Sequence, residues 1–211
     1  MLSVSQHRFF RAHPDRLELV RTAVPLATSA FSFALMSAVD TAFVTGLGVA
    51  ELAGVGLAGT LIFTVIITTG TLLRGLKICM AQAEGRGEAS LGYLGAGLRL
   101  GARAIVPTVV LLVALGFLTP ALLSTAASAA AASDYIWVRT LSIPMLFPLM
   151  ALREAFYGRG DTTTPLRAIV AANVLNLVLN WVSVELLHWG VRGVAFTTVM
   201  AVALQVFWLG R

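Results

Sequence analysis

Ser37-Ala38-Val39-Asp40-Thr41-Ala42-Phe43-Val44 lies inside an apolar run that extends from Ala23 to Val49. An ionised carboxylate at membrane depth costs at least ~2.5–3.5 kcal/mol on insertion scales. A chain that keeps one there normally supplies a partner charge, a bound cation or a proton. Asp40 therefore points to ion-coupled or proton-coupled work across a membrane. The other reading of the same residue is an outer-edge carboxylate that water reaches.

The rest of the chain supports a membrane location. Hydrophobic residues make up 58% of the 211 residues and charged residues 12%, about half the charged share of a soluble domain. Mean hydropathy is +0.87. No hydrophilic stretch is long enough for an extramembrane domain. The net charge of +5 sits at the flanks of apolar runs, which reads as orientation in a bilayer rather than as nucleic-acid binding. The basic start, Met1 to Arg21, and the long run behind it do not read as a cleavable signal peptide. The single cysteine, Cys79, excludes an intrachain disulfide. The histidines His7, His13 and His188 are scattered and suggest no metal cluster.

Six segments are long and apolar enough to span: about 17–46, 52–80, 91–118, 135–157, 165–187 and 191–209. A short segment, 1–16, precedes them. The expected architecture is an all-α integral membrane bundle of six transmembrane helices over 17–211. Thr119-Pro120 is expected to close the third helix. The Ala/Ser-rich stretch 121–133 reads as a partly helical connection along the interface. With the N-terminus cytoplasmic, only Arg139 and Arg192 of the 15 Lys and Arg residues fall outside. That bias places both termini in the cytoplasm, and the expected location is the plasma (inner) membrane.

Polar residues recur at one depth. Asn173, Asn176 and Asn180 are spaced by three and four, within about 60° on one face of the fifth helix. Asp40 lies ~9 Å inside the outer end of its helix, Asn180 ~13 Å and Thr198 ~9 Å. Three helices thus carry oxygen-bearing side chains to one level, as a buried cation or proton site requires. Asn173 alone reads as a bridge between helices. Thr197 and Thr198 are also suited to bonding back to their own helix.

Other features read as structural. Arg74 and Lys77 are placed to snorkel, and Glu154 beside Arg153 suits an ion pair near the inner face. Gly97 and Gly101 match a close-packing GxxxG pattern. Pro144 and Pro148 should bend the fourth helix, and Pro25 the first. Asp161 or a following Thr suits the cap of the fifth helix. There is no phosphate loop, HExxH or GxSxG, so the chain is not read as an enzyme and has no catalytic residues or cofactor. Pumping would draw on an ion gradient.

Several pieces together resemble the N-terminal lobe of the multidrug and toxic compound extrusion (MATE) transporters. They are Val39-Asp40-Thr41-Ala42-Phe43-Val44, Glu51-Leu52-Ala53-Gly54-Val55-Gly56-Leu57-Ala58, Ala81-Gln82-Ala83-Glu84-Gly85-Arg86-Gly87 and Phe156-Tyr157-Gly158-Arg159-Gly160-Asp161. Asn176 to Asn180 and Gly193-Val194-Ala195-Phe196-Thr197-Thr198 complete the set. The resemblance implies a polyspecific exporter exchanging small organic, often cationic, compounds for H⁺ or Na⁺. It carries the role of ion or proton site to Asp40, with Asn176, Asn180 and Thr198 beside it and Na⁺ at Asp40 as the one metal to consider. Substrate-binding residues are not assigned. Where some members have an acid on helix five, this chain has Asn180, so the site holds one charge fewer. The family has two lobes and this chain matches one, so the expectation is a half working as a parallel homodimer or beside a second lobe. A non-transporting fragment or subunit is the alternative, and a flippase for lipid-linked sugars the third reading.

Overall fold

The computed structural model describes the backbone of residues 16–211, and side chains from Ala23 onward except those of Pro25, Leu26, Ser29, Ala30 and Phe33. The expectations for the first fifteen residues and for a bend at Pro25 lie outside the described residues. From there on the chain is helical: α1 Arg16–Thr45, α2 Val49–Gly70, a 3-10 turn Thr71–Leu73, α3 Arg74–Arg86, α4 Leu91–Leu122, α5 Ala126–Thr140, α6 Ile143–Gly158, α7 Thr163–Trp181 with a π turn Val182–Leu186, and α8 Gly190–Leu209. By length and composition, Val49–Arg86, Leu91–Leu122, Thr163–Leu186 and Gly190–Leu209 can each cross a membrane, and α5 with α6 makes a fifth bent span. Within the described part of α1, Ala34–Thr45 is a shorter apolar helical stretch.

Boundaries at α1, α7 and α8 fall close to those expected, and three others are corrected. The second segment is a rod running on to Arg86, where Gly87 (φ 68°) takes the left-handed cap that other residues avoid. The third helix runs through Pro120 to Leu122. Pro120 has no N–H for the Gly116 carbonyl, but the Thr119 hydroxyl donates to that carbonyl at 2.8 Å, so the turn survives. The fourth span begins at Ala126, nine residues before the expected Tyr135, and is bent by 57° between α5 and α6. The break at Leu141-Ser142 stands two residues before Pro144, which has no N–H to continue the ladder to the Thr140 carbonyl. The Ala/Ser stretch is thus no interfacial connection. Ala129, Ala131 and Ala132 are buried.

Apolar side chains gain little by leaving lipid for protein, so close packing of small residues holds such a bundle together. α5 packs on α2, α4 and α8. A Cβ on Gly54 would strike the Ser128 carbonyl and the Ala131 methyl, so glycine sets the closeness of α2 to α5. Gly97 and Gly101 let α4 take Leu76 and Phe147 in the same way. A Cβ on Gly158 would lie 2.8 Å from the Lys77 carbonyl. Between helices, Arg159 Nε meets Glu84 Oε1 at 3.5 Å, so two of the loop motifs quoted above are neighbours. Asp161 Oδ1 accepts from the Thr163 and Thr164 amides, both at 3.0 Å, the cap expected for this helix.

Candidate functional site

α1 packs on α7, and α7 on α8. Where they meet, the structure brings together Asp40, Asn176, Asn180, Thr197 and Thr198. Asp40, Asn176, Asn180, Thr197 and Thr198 are all buried, Asp40 with 6% of its surface exposed and both asparagines with none. Asp40 Oδ1 accepts from Asn180 Nδ2 at 2.7 Å and from Asn176 Nδ2 at 3.1 Å. Asp40 Oδ2 accepts from Thr198 Oγ1 at 2.8 Å.

The remaining polar hydrogens close a ring. Asn180 Nδ2 donates to Asn176 Oδ1 at 3.2 Å, and Asn176 Nδ2 to Thr197 Oγ1 at 3.3 Å. Thr197 Oγ1 donates to Asn180 Oδ1 at 2.6 Å. Each amide thereby uses both hydrogens and the ring leaves no donor idle, as a buried polar network requires. With Asp40 ionised, turning either amide would set oxygen against oxygen, so the carboxylate fixes the sense of the ring.

The two threonines divide. Both approach the Val194 carbonyl, Thr197 at 2.8 Å and Thr198 at 3.3 Å. Each has one hydrogen, and each lies closer to a site acceptor, Asn180 Oδ1 or Asp40 Oδ2, than to that carbonyl. Asn173 stands apart from the ring: its Nδ2 donates to the Ser32 carbonyl at 2.8 Å, tying α7 to α1 as the bridging role predicts.

On its other side Asp40 faces a cleft of about 320 Å³, shared with Ser37, Thr41, Gly56, Gly59 and Tyr135. One residue of this side was not singled out in the sequence. Tyr135 lines the cleft from α5. Arg139, one turn further, is placed by sequence among the outer flanking charges. Because α5 starts at Ala126, Arg139 instead lies 13 residues into the span, ~20 Å along it. Its Nε and Nη1 are buried without a hydrogen-bond partner. The signal that locates it is the helical continuity of the Ala/Ser stretch, which its composition alone conceals.

As arranged here Asp40 meets two N–H groups and one O–H, and a hard cation at the carboxylate would need the amide and hydroxyl oxygens of the same side chains turned toward it. Among the described residues no three His, Cys, Asp or Glu gather as a metal site.

Comparison with known proteins fits this architecture. The family model described as MatE matches residues 25–182. Protein DETOXIFICATION 44, chloroplastic, of Arabidopsis thaliana is 31% identical over 207 residues, 90% of this chain and 40% of that protein. The probable multidrug resistance protein NorM of Thermotoga maritima is 28% identical over 204 residues, 88% of this chain and 42% of that protein. The crystal structure of the eukaryotic MATE transporter AtDTX14 superposes with a TM-score of 0.85 at 20% identity, covering 92% of this chain and 44% of that one. The Vibrio cholerae MATE transporter VcmN in its bent form gives 0.73 at 22% identity, covering 92% and 45%. The chain spans less than half the length of these relatives. With a bundle of that fold, built on the motifs quoted from its sequence and matched by the family model over three-quarters of its length, the chain belongs to the MatE family and corresponds to the N-terminal lobe of a MATE transporter.

Proposed function

We propose that this chain is one half of a secondary active exporter of small organic compounds, driven by inward proton flow, with Asp40 as the group that carries the proton. The observation that supports this most directly is the surroundings of Asp40 Oδ2. When that oxygen takes a proton it becomes a donor and needs an acceptor. Thr198 Oγ1 stands at 2.8 Å, and its own hydrogen has a second destination in the Val194 carbonyl at 3.3 Å. The proton therefore enters with a small rotation of one hydroxyl, while the amide ring keeps its sense. A sodium ion at the same carboxylate would require both amides to turn.

Protonation also changes what holds α1 to α7 and α8. Hydrogen bonds to a charged group contribute about 1.5–3 kcal/mol each, and neutral ones about 1 kcal/mol. Neutralising Asp40 weakens all three at once and lets α1 move relative to α7 and α8. A cationic substrate in the cleft prefers the ionised state and the proton removes that preference. Exchange follows because each ligand binds one state better. The second wall of the pathway comes from another lobe or a parallel copy, in the plasma membrane with both termini cytoplasmic.

The length of the relatives supports a second reading, a subunit that transports only beside its other half. Proteoliposomes holding this chain alone, loaded with a fluorescent organic cation, test both. Efflux that follows a pH gradient and ignores a sodium gradient is the expected result. Sodium-driven efflux overturns proton coupling. The absence of efflux from folded protein, restored by co-reconstitution with a second lobe, establishes the subunit reading.

A further inference from the structure

We propose that the exposed face of α4 carries a binding site for anionic phospholipid, with Arg99 and Arg103 as the groups that take its phosphates. The site stands whether or not the chain transports, since neither arginine lines the cleft at Asp40.

The face of α4 turned into the bundle is the row Gly97, Gly101, Ala104, Thr108 and Leu112, all buried. Arg99 and Arg103 each stand two residues beyond a glycine of that row, about 200° around the helix from it. Both are exposed. The surface around them is apolar: Leu100, Val106 and Val110 are exposed too. On a helix apolar enough to cross a membrane, that surface meets acyl chains. Counted from the far end at Leu122, Arg103 lies ~29 Å along α4 and Arg99 ~35 Å. The hydrocarbon layer is ~30 Å thick, so the pair stands at its boundary, where lipid phosphates lie. In the orientation proposed above this is the cytoplasmic leaflet.

Nothing in the described protein balances these two charges. Like charges four positions apart on a helix repel each other, and α4 contains no Asp or Glu. The acids at this end of the bundle are engaged elsewhere. Glu88 is held by Arg86 at 2.7 Å. Glu84 is held by Ser90 at 2.6 Å and by Arg159 at 3.5 Å. Asp161 caps α7. Glu154 belongs to α6, and both α6 and α3 adjoin the buried row of α4, where Gly101 meets Phe147 and Gly97 meets Leu76. It therefore lies on the opposite side of α4 from the arginines.

A phospholipid supplies both missing parts. Guanidinium groups match phosphate oxygens two at a time, and the acyl chains continue along the apolar surface beside them. One turn of helix separates the two arginines by ~6 Å along the axis. Two phosphodiesters joined through one glycerol, as in cardiolipin, can therefore take one arginine each. A zwitterionic headgroup brings its own cation and has no such match.

The test is titration of the full chain in detergent, followed by native mass spectrometry, with cardiolipin, phosphatidylcholine and water-soluble glycerol 3-phosphate as probes. The original protein should bind cardiolipin about tenfold or more tighter than phosphatidylcholine, from two basic residues at a phosphate surface. Arg99→Gln combined with Arg103→Gln should abolish that preference. Arg167→Gln should leave it intact, because Arg167 is exposed on α7 but has no basic neighbour within a turn. Equal affinity for the two lipids in the original protein overturns the site, and that measurement needs no variant to fold. A preference kept in the double variant also overturns it, as does an equal loss in Arg167→Gln, the mark of a general basic field. Glycerol 3-phosphate bound as tightly as cardiolipin overturns the assignment to lipid.

Discussion

Asp40 and Asp161 are both carboxylates met only by donors, and they do different work. Asp161 accepts from the amides and the hydroxyls of Thr163 and Thr164, all within three positions of itself. Asp40 accepts from Asn176, Asn180 and Thr198, which lie 136, 140 and 158 positions away. The first arrangement ends one helix and is complete as soon as that turn forms. The second exists only while α1, α7 and α8 are assembled. A local cage stabilises an element, whereas a cage drawn from three helices couples their relative positions to the charge inside it.

Neutralising the two carboxylates should therefore separate them. Asp40→Asn should reduce gradient-driven efflux to the level of empty vesicles while the helices still form. Efflux at the original rate in that variant breaks the contrast at its root. Asn180→Ala removes a donor from Asp40 and opens the ring. It should cost about 1.5–3 kcal/mol of stability for a hydrogen bond to a charged group, read as a lower unfolding temperature in detergent.

Thr198→Val keeps the shape of the site and removes the acceptor for the carboxyl proton. Its effect should be about 1–3 kcal/mol, and it should appear in the pH profile of efflux with thermal stability changed less than in Asn180→Ala. A profile identical to the original would assign the proton another acceptor. The smallest change belongs to Asp161→Asn, about 0.5–2 kcal/mol as for a lost helix cap. Partial burial pushes the Asp161 carboxyl up, but the bonds from Thr164 and Thr163 outweigh it and hold the group below the ordinary aspartate range. A carboxyl lowered by folding stabilises the fold at neutral pH and loses that contribution as pH falls through its folded value. Acid should loosen the start of α7 in the original protein and have less effect in Asp161→Asn, as amide exchange at Thr163 and Thr164 would reveal.

The same pair of aspartates marks what the sequence makes legible. The cap at Asp161 is a short-range pattern and reads directly from Asp161-Thr162-Thr163-Thr164. At Asp40 the residue types and depths on α1, α7 and α8 are legible, because 1.5 Å per residue converts position into level. The direction of the ring is not, since it depends on which faces the helices present to each other. Arg139 was misplaced for a different reason. Ala126 to Ser133 are too small and too mixed in polarity to announce a buried helix, yet Gly54 on α2 leaves room only for such residues. The signal for α5 thus lay partly on another helix. Pro120 misled similarly, because the hydroxyl that repairs its turn belongs to the residue before it.

The break at Leu141-Ser142 makes the α5–α6 span a jointed shaft. With the two halves set at 57°, a rotation of α6 about its own axis is not a rotation of α5 about its own, so Tyr135 in the cleft wall is not turned directly from the α6 end. Each half keeps the alignment its own neighbours impose. A rearrangement at the α6 end therefore reaches the cleft wall sideways, through α4 and α8, which touch both halves, rather than along the shaft itself.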